Sequence, residues 1–516
     1  MDGDDADHVL SKDHPDFRDI VDTLGASDGL TIVVGAGSSR DAGLPSWRRL
    51  LENLLRTGFD VAQRQGRLPD DQRGEDLARH VLDNYDTVAS ASIARLLHGA
   101  QRSRAIRTAL YLGHVEPPVP GRIAISIAHL AHAVPDVTIV TTNYDDLIEQ
   151  AIDRRIASVA ARKSKPIVPV TNPLTYDRTQ HIPVFHLHGL LPYADDEQAV
   201  GPIVLDEQDY ALATVRPPGE VLPDLLRGRP VLFIGASMTD PNLVAAAYLL
   251  KQQGASERQF GLFVRESDTA GPTTSVQGVT RGRLVDMGIH PVNLLSYGQI
   301  SQVLYEIVAR RSLGEEYWLA PNYRYGKRFE HWRSRLAEKF PYDDDVDFKR
   351  VQEDVHGVLA RVVTDISRQA VHLQSGEHLG LHLWVRRPGP GLGSLELWGS
   401  SVHLHRERWS LRAQAVEVDA GSPFPAVEAV YFGSSQVRKR ADPGQRWQAL
   451  IAVPIQLTDD PWRHLIVGVI TLSSTKPRGQ SGLAESAMSE LQQRLHDLGA
   501  NLLDPATDRR ALLPVD

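Results

Sequence analysis

Four short stretches of this chain carry groups suited to chemistry, and they come in a fixed order. Val34-Gly35-Ala36-Gly37-Ser38-Ser39 closes an apolar run with a tight glycine turn. Between a strand and a helix, such a turn lets backbone N–H groups approach a pyrophosphate, whose charge a helix N-terminus favours. The spacing departs from the dinucleotide fingerprint, because position 40 is Arg40 and the next glycine is Gly43. By itself the turn reads equally well as plain closure of a βα unit. Thr141-Thr142-Asn143-Tyr144-Asp145-Asp146 offers a carboxamide and carboxylates at a second strand end; the same residues would also cap a helix and complement its dipole. In His186-Leu187-His188-Gly189, alternation puts both histidines on one face, with Phe185 and Leu187 on the other. His188, last in its strand, suits a crevice, whereas His186 reads as a hydrogen-bonded structural histidine; no third ligand stands at a metal-site spacing. Gly235-Ala236-Ser237-Met238-Thr239-Asp240-Pro241-Asn242 is another strand-to-helix turn, with Asp240 as cap and Pro241 at the first helical position.

The elements that must position these groups alternate apolar runs with amphipathic stretches over the first ~310 residues, the rhythm of a parallel sheet covered by helices. Strands are expected at Leu30–Val34, Val137–Val140, Pro183–His188, Pro230–Ile234, Gln259–Val264 and Pro291–Leu295. The stretch between the first two far exceeds the dozen or so residues that a crossover needs, and reads as an inserted helical layer. Residues 313–345 are expected to be a linker or bridging segment, with an aromatic, irregular Glu316–Tyr325. Beyond it, a helix at Asp347–Gln369, strands at Leu381–Val385, Val402–Ser410, Ala449–Leu457 and Leu465–Leu472, and a helix at Ala484–Leu502 describe an α+β domain. The expected division is therefore 1–312, 313–345, 346–505 and a tail at 506–516.

Composition removes several alternatives. The formal charge is −9 and the basic residues are scattered, which gives no strong nucleic-acid footprint. No apolar run is long enough for a membrane span. The acidic start Met1-Asp2-Gly3-Asp4-Asp5 lacks the apolar core of a secretory signal, so a cytoplasmic location is expected. The sequence has no cysteine, which excludes disulfides, thiolate zinc sites and cysteine nucleophiles.

Taken in order, the glycine turn, Thr-Thr-Asn-Tyr-Asp, His-Gly and Ile-Gly-Ala-Ser resemble the sirtuin fold family. The resemblance is to its bacterial silent-information-regulator-like branch, which includes NAD⁺-degrading effectors of anti-phage defence. Gly43-Leu44-Pro45-Ser46-Trp47 looks like that branch too, and the match covers roughly residues 15–312. It implies a Rossmann-like α/β domain with a helical insertion. It also implies that Gly35, Ala36, Gly37 and Ser38 hold the NAD⁺ phosphates, that Asn143 and Asp145 face the nicotinamide ribose, and that His188 is the general base. Gly235 and Ser237 would meet the adenosine half, with Asp240 and Asn242 completing the NAD-binding turn. One departure is sharp: deacetylases of the family carry a four-cysteine zinc module that this chain lacks. That points away from a protein deacylase and towards water as acceptor, with NAD⁺ as substrate, no zinc and no other cofactor. A non-catalytic NAD⁺ or ADP-ribose sensor is the competing reading.

Trp447–Leu457 and Leu465–Ser474, with the flanking helices, resemble the GAF fold over roughly 345–505. The resemblance implies either a sensor for a small-molecule or protein activator or an oligomerisation module, and a homo-oligomer is expected. His403 and His405 alternate on an expected strand and read as surface or core histidines.

Overall fold

The computed structural model describes residues 15–504, apart from 70, 115, 159–166, 171–181, 195–198, 215–221, 255–257, 265–272, 320–324, 340–344, 370–372, 388–392, 403–414, 419–421, 438–445, 457–465, 478–479 and 485–487. The chain forms two compact units. One holds the described residues within 19–263 and 273–293; the other holds those from 294 onward, with 15–18 and Val264.

The first unit is built on seven strands: β1 Gly29–Val34, β2 Asp136–Thr141, β3 Ile167–Val170, β4 Ile182–His186, β5 Val231–Ile234, β6 Gln259–Val264 and β7 Ile289–Leu294. Their order is β3-β4-β2-β1-β5-β6-β7, and β1 pairs in parallel with both β2 and β5. Short, nearly continuous apolar runs fit such strands because helices cover both faces. The core on one face gathers Val33, Val140, Phe185, Phe233 and Leu243. The chain moves from β1 to β2 and β4 on one side, and only then to β5 on the other. The chain thus leaves β1 towards one side of the sheet and β5 towards the other, and the carboxyl end at such a switch is the place where open α/β sheets bind ligands.

Between β1 and β2 lie helices Trp47–Arg64, Gly74–Asn84, Thr87–His98, Arg102–Leu110 and Arg122–Ala133, the expected helical layer. It is tied to later chain. Arg102 donates to Ile203 O at 2.9 Å and Tyr111 OH donates to Leu191 O at 2.8 Å, while Arg95 pairs with the buried Asp206 at 2.6 Å.

The second unit contains a six-stranded sheet in the order β10-β9-β8-β13-β12-β11: β8 Leu379–Arg387, β9 Ser394–Ser400, β10 Ala415–Glu417, β11 Gln436–Val437, β12 Ala449–Gln456 and β13 Ile466–Ser474. All its pairs are antiparallel. Alternation sorts its faces. Leu381, Leu383, Ile451, Val453 and Leu472 meet helices Asp345–Gln369 and Met488–Leu503, while Trp384, Leu450, Ala452 and Val469 meet helix Pro425–Phe432. Residues 313–345 contain helix Tyr325–Lys339, and its Phe329, Trp332 and Leu336 enter the first of these cores. Helix Tyr297–Leu313 belongs to this unit by its contacts, with Tyr297 packed edge-on against Tyr431. Of the strand expected at Val402–Ser410, residues 403–410 lie outside the described residues, as do His403 and His405.

Candidate functional site

All four chemical stretches lie at the carboxyl ends of parallel strands: the glycine turn after β1, Thr142–Asp146 after β2, His188 after β4 and Gly235–Asp240 after β5. They converge because the strands share one direction.

The turn after β1 leads into a 3₁₀ helix, Ala36–Ala42, rather than an α-helix, and Gly43 ends it in a left-handed conformation at φ 84°. Gly37 N donates to Gly235 O at 3.0 Å. A Cβ on Gly35 would come within 2.6 Å of Gly235 O, and one on Gly37 within 2.8 Å of Gly235 Cα. The glycines thus let the β1 and β5 loops interlock backbone to backbone, a need separate from any phosphate.

Asn143 is the hub. Its side-chain amide donates to Ser38 Oγ at 3.1 Å and to Ser39 Oγ at 3.0 Å. Ser38 Oγ–H donates to Gly35 O at 2.8 Å, and Ser39 Oγ–H donates to Asp145 Oδ2 at 2.9 Å. Both amide hydrogens are engaged, and among the described residues the buried Asn143 Oδ1 has no hydrogen-bond partner. The carboxamide is thereby fixed, with its buried acceptor oxygen unpaired. Asp145 also accepts from Leu147 N at 3.2 Å, capping helix Leu147–Ser158. Burial pushes its carboxyl up to about 6, against the hydrogen bonds from Ser39 and Leu147. The capping role in this stretch thus falls to Asp145, while the Asn143 side chain turns to the serines of the β1 turn.

β4 ends at His186, so His188 stands just past the strand, while Phe185 and Leu187 enter one core as alternation requires. His186 is fully engaged, with Nε2 at 2.5 Å from Glu149 Oε1 and Nδ1 at 3.2 Å from Asn143 O. Burial works to lower its pKa, yet Glu149 and the Asn143 carbonyl outweigh that and raise it. It is a structural histidine that steadies the Asn143 backbone. His188 is buried, with its ring 6.3 Å from that of Tyr144 and edge-on to Tyr210 at 5.4 Å. Its Nε2 lies 3.0 Å from Asp240 Oδ2, at contact distance but outside hydrogen-bond alignment.

Asp240 caps helix Pro241–Gln252 through Leu243 N at 2.9 Å and accepts from Tyr210 OH at 2.9 Å. Burial alone would raise its carboxyl; His188, Leu243 N–H and Tyr210 OH outweigh it and hold the group below its ordinary value. Ser237 is exposed and shares a 2.6 Å hydrogen bond with Thr239, and Asn242 is half-buried in the first turn of the helix. Ser39 and Tyr210 are neighbours of these groups with no role expected from the sequence, although Ser39 lies in the first stretch. Each makes its contact across more than twenty residues of chain, a pairing that no local pattern shows.

Asp41 completes the surroundings. Its Oδ2 accepts from Ile123 N at 2.9 Å, and burial raises its carboxyl from 3.8 to about 6. The folded chain thus holds Asp41 protonated where the unfolded chain has ionised it. Its stabilising contribution is full below pH 3.8, and is lost as pH rises to about 6. Urea unfolding across that window should show the wild-type protein losing stability relative to Asp41→Asn, whose amide oxygen can still accept from Ile123 N but which cannot ionise. Parallel curves would refute this titration.

Among the described residues, no group of three His, Asp or Glu side chains is placed to hold a metal ion, and no helix is long and apolar enough to cross a membrane.

Residues 137–292 match the family model of the SIR2-like domain. The matched stretch begins in β2 and ends in β7, so it takes in Asn143, Asp145, His188 and Asp240, while the glycine turn precedes it. That turn joins the SIR2-like stretch through the sheet, since β1 lies between β2 and β5. No curated protein matches the chain. Among solved structures, a SIR2 homolog–NAD complex is 16% identical, with 57% of this chain and 93% of that chain covered at a TM-score of 0.29. An ADP-ribose complex of a Sir2 homologue point mutant is 14% identical, with 58% and 98% covered at a TM-score of 0.29.

Proposed function

We propose that this protein is an NAD⁺ glycohydrolase, with Asn143 and His188 as its catalytic residues. The observation that carries the reading is the Asn143 carboxamide, held by both N–H groups with its buried oxygen unpaired among the described residues. The SIR2-like match over the same residues supports NAD⁺ as the ligand class.

Nicotinamide leaves readily because its ring nitrogen is cationic while bonded to the ribose. The C1′–N bond breaks with its electron pair going to that nitrogen, and an oxocarbenium-like sugar remains. In this reading Asn143 Oδ1 accepts a hydrogen bond from the attacking water or a ribose hydroxyl, fixing it at the sugar. Neutral His188 takes the proton as the water oxygen bonds to C1′. The products are nicotinamide and ADP-ribose. Gly35, Ala36, Gly37 and Ser38 are proposed to line the pyrophosphate at the β1 strand end, where the missing side chains of the glycines allow close approach. Gly235, Ser237 and Asn242 are proposed to line the adenosine half, and Asp145 the ribose side.

Unchecked NAD⁺ hydrolysis would deplete the host cell. We therefore place the activity in anti-phage defence, with the C-terminal unit, read as GAF-like, restraining it through an activator or through assembly of copies. Incubation of the pure protein with NAD⁺, followed by chromatography, should show nicotinamide and ADP-ribose accumulating, and His188→Ala should abolish this. Bound NAD⁺ without turnover, even with infected-cell extract, would replace the hydrolase with a sensor. Equal turnover with and without that extract would remove the regulatory part.

A further inference from the structure

The SIR2-like match spans Asp240 but says nothing of its task, and the sequence resemblance sets it among NAD⁺ contacts. Its surroundings indicate something else. Its Oδ2 faces His188 Nε2 at 3.0 Å and Tyr210 OH at 2.9 Å, while Oδ1 is committed to Leu243 N at 2.9 Å. The three groups belong to different elements: the loop after β4, helix Glu207–Thr214 and the start of helix Pro241–Gln252. Tyr210 also closes on the histidine ring edge-on. We propose that Asp240, steadied by Tyr210, is the positioning residue for His188, fixing its ring and keeping the proton on Nε2 so that Nδ1 is the basic nitrogen. This rests on His188 acting as the base.

A base oriented by a carboxylate is a recurring arrangement, because the carboxylate selects one imidazole tautomer and stabilises the cation formed during proton transfer. The two groups are within contact distance at 3.0 Å and not yet aligned as a hydrogen bond. Catalytic hydrogen bonds often align only once substrate is bound. Tyr210 is held in turn: Asp209 beside it pairs with Arg102 at 3.0 Å, and Asp206, which caps the same helix, pairs with Arg95 at 2.6 Å. The helical insertion is thereby anchored to the segment that carries the orienting pair.

Asp240→Asn makes the proposal testable because the cap fixes the new side chain. Leu243 N–H requires the carboxamide oxygen at the Oδ1 position, so the NH₂ replaces Oδ2 and donates to His188 Nε2. The imidazole is driven to the opposite tautomer. In ¹⁵N-histidine NMR of the full-length protein, with His188 assigned from His188→Gln, the wild type should show a protonated Nε2 and Asp240→Asn an unprotonated one. With NAD⁺, Asp240→Asn should lower kcat on the order of 10²–10⁴-fold while the separately measured Kd for NAD⁺ stays within about twofold. Tyr210→Phe keeps the carboxylate and should lower kcat only several-fold. An unprotonated Nε2 in the wild type, or one tautomer in both proteins, would overturn the proposal. A switch of tautomer without wild-type NAD⁺ turnover would keep the Asp240–His188 pair and sink the hydrolase reading instead.

Discussion

Asn143→Asp is expected to abolish nicotinamide release and to destabilise the first unit, while the smaller Asn143→Ala abolishes release at less cost in stability. The two serine hydroxyls that receive the Asn143 amide already send their protons to Gly35 O and Asp145 Oδ2. Aspartate would turn a double donor into an acceptor facing two oxygens. It would also bring a second carboxylate beside Asp145, whose own carboxyl burial already pushes up to about 6. Leaving buried polar groups unsatisfied costs about 1–3 kcal/mol, more when one is charged. Loss of a fixed polar group that stabilises the transition state costs on the order of 10²–10³ in kcat. Urea unfolding should rank wild type above Ala and Ala above Asp, with the Asp variant recovering stability as pH falls and its carboxyl takes up a proton. An Asp variant that keeps its turnover would show that the amide hydrogens do not hold this side chain for chemistry.

Much of this site is legible in the amino-acid sequence, for a definite reason. Parallel strands are uninterrupted apolar runs, and each chemical group stands at the residue where such a run stops, so order along the chain becomes convergence in space. What stays hidden is pairing across long separations. Nothing local marks Ser39 as the link between Asn143 and Asp145, or Tyr210 as the partner of Asp240. The unexpected strand β3, Ile167–Val170, contains Pro169, a residue that argues against a central strand, and it does lie at the sheet edge. In the second unit, Phe329, Trp332 and Leu336 recur at helical spacing within the segment expected to be a linker. The irregular aromatic residues just before them conceal that period.

Gly235→Ala should be the most damaging single-methyl change in the first unit. Gly235 has φ 63°, where a side chain costs about 1–2 kcal/mol, and its added Cβ would come within 2.5 Å of Ser38 N and 2.9 Å of Gly37 C. Those atoms are backbone, with no side chain to swing aside, so the β1 and β5 loops must separate at about 1–3 kcal/mol more. The displaced residue is Ser38, which receives the Asn143 amide. Stability and NAD⁺ turnover should therefore fall together. Gly228→Ala is the control, because Gly228 has φ 79° and an added Cβ there would meet no atom within 4 Å. It shares the backbone strain without the collision, so it should lose only the strain component and keep its turnover. Equal losses in the two variants would mean that the loops do not interlock as described. A Gly235→Ala protein that is destabilised yet fully active would uncouple this glycine from Asn143 and leave it a purely structural contact.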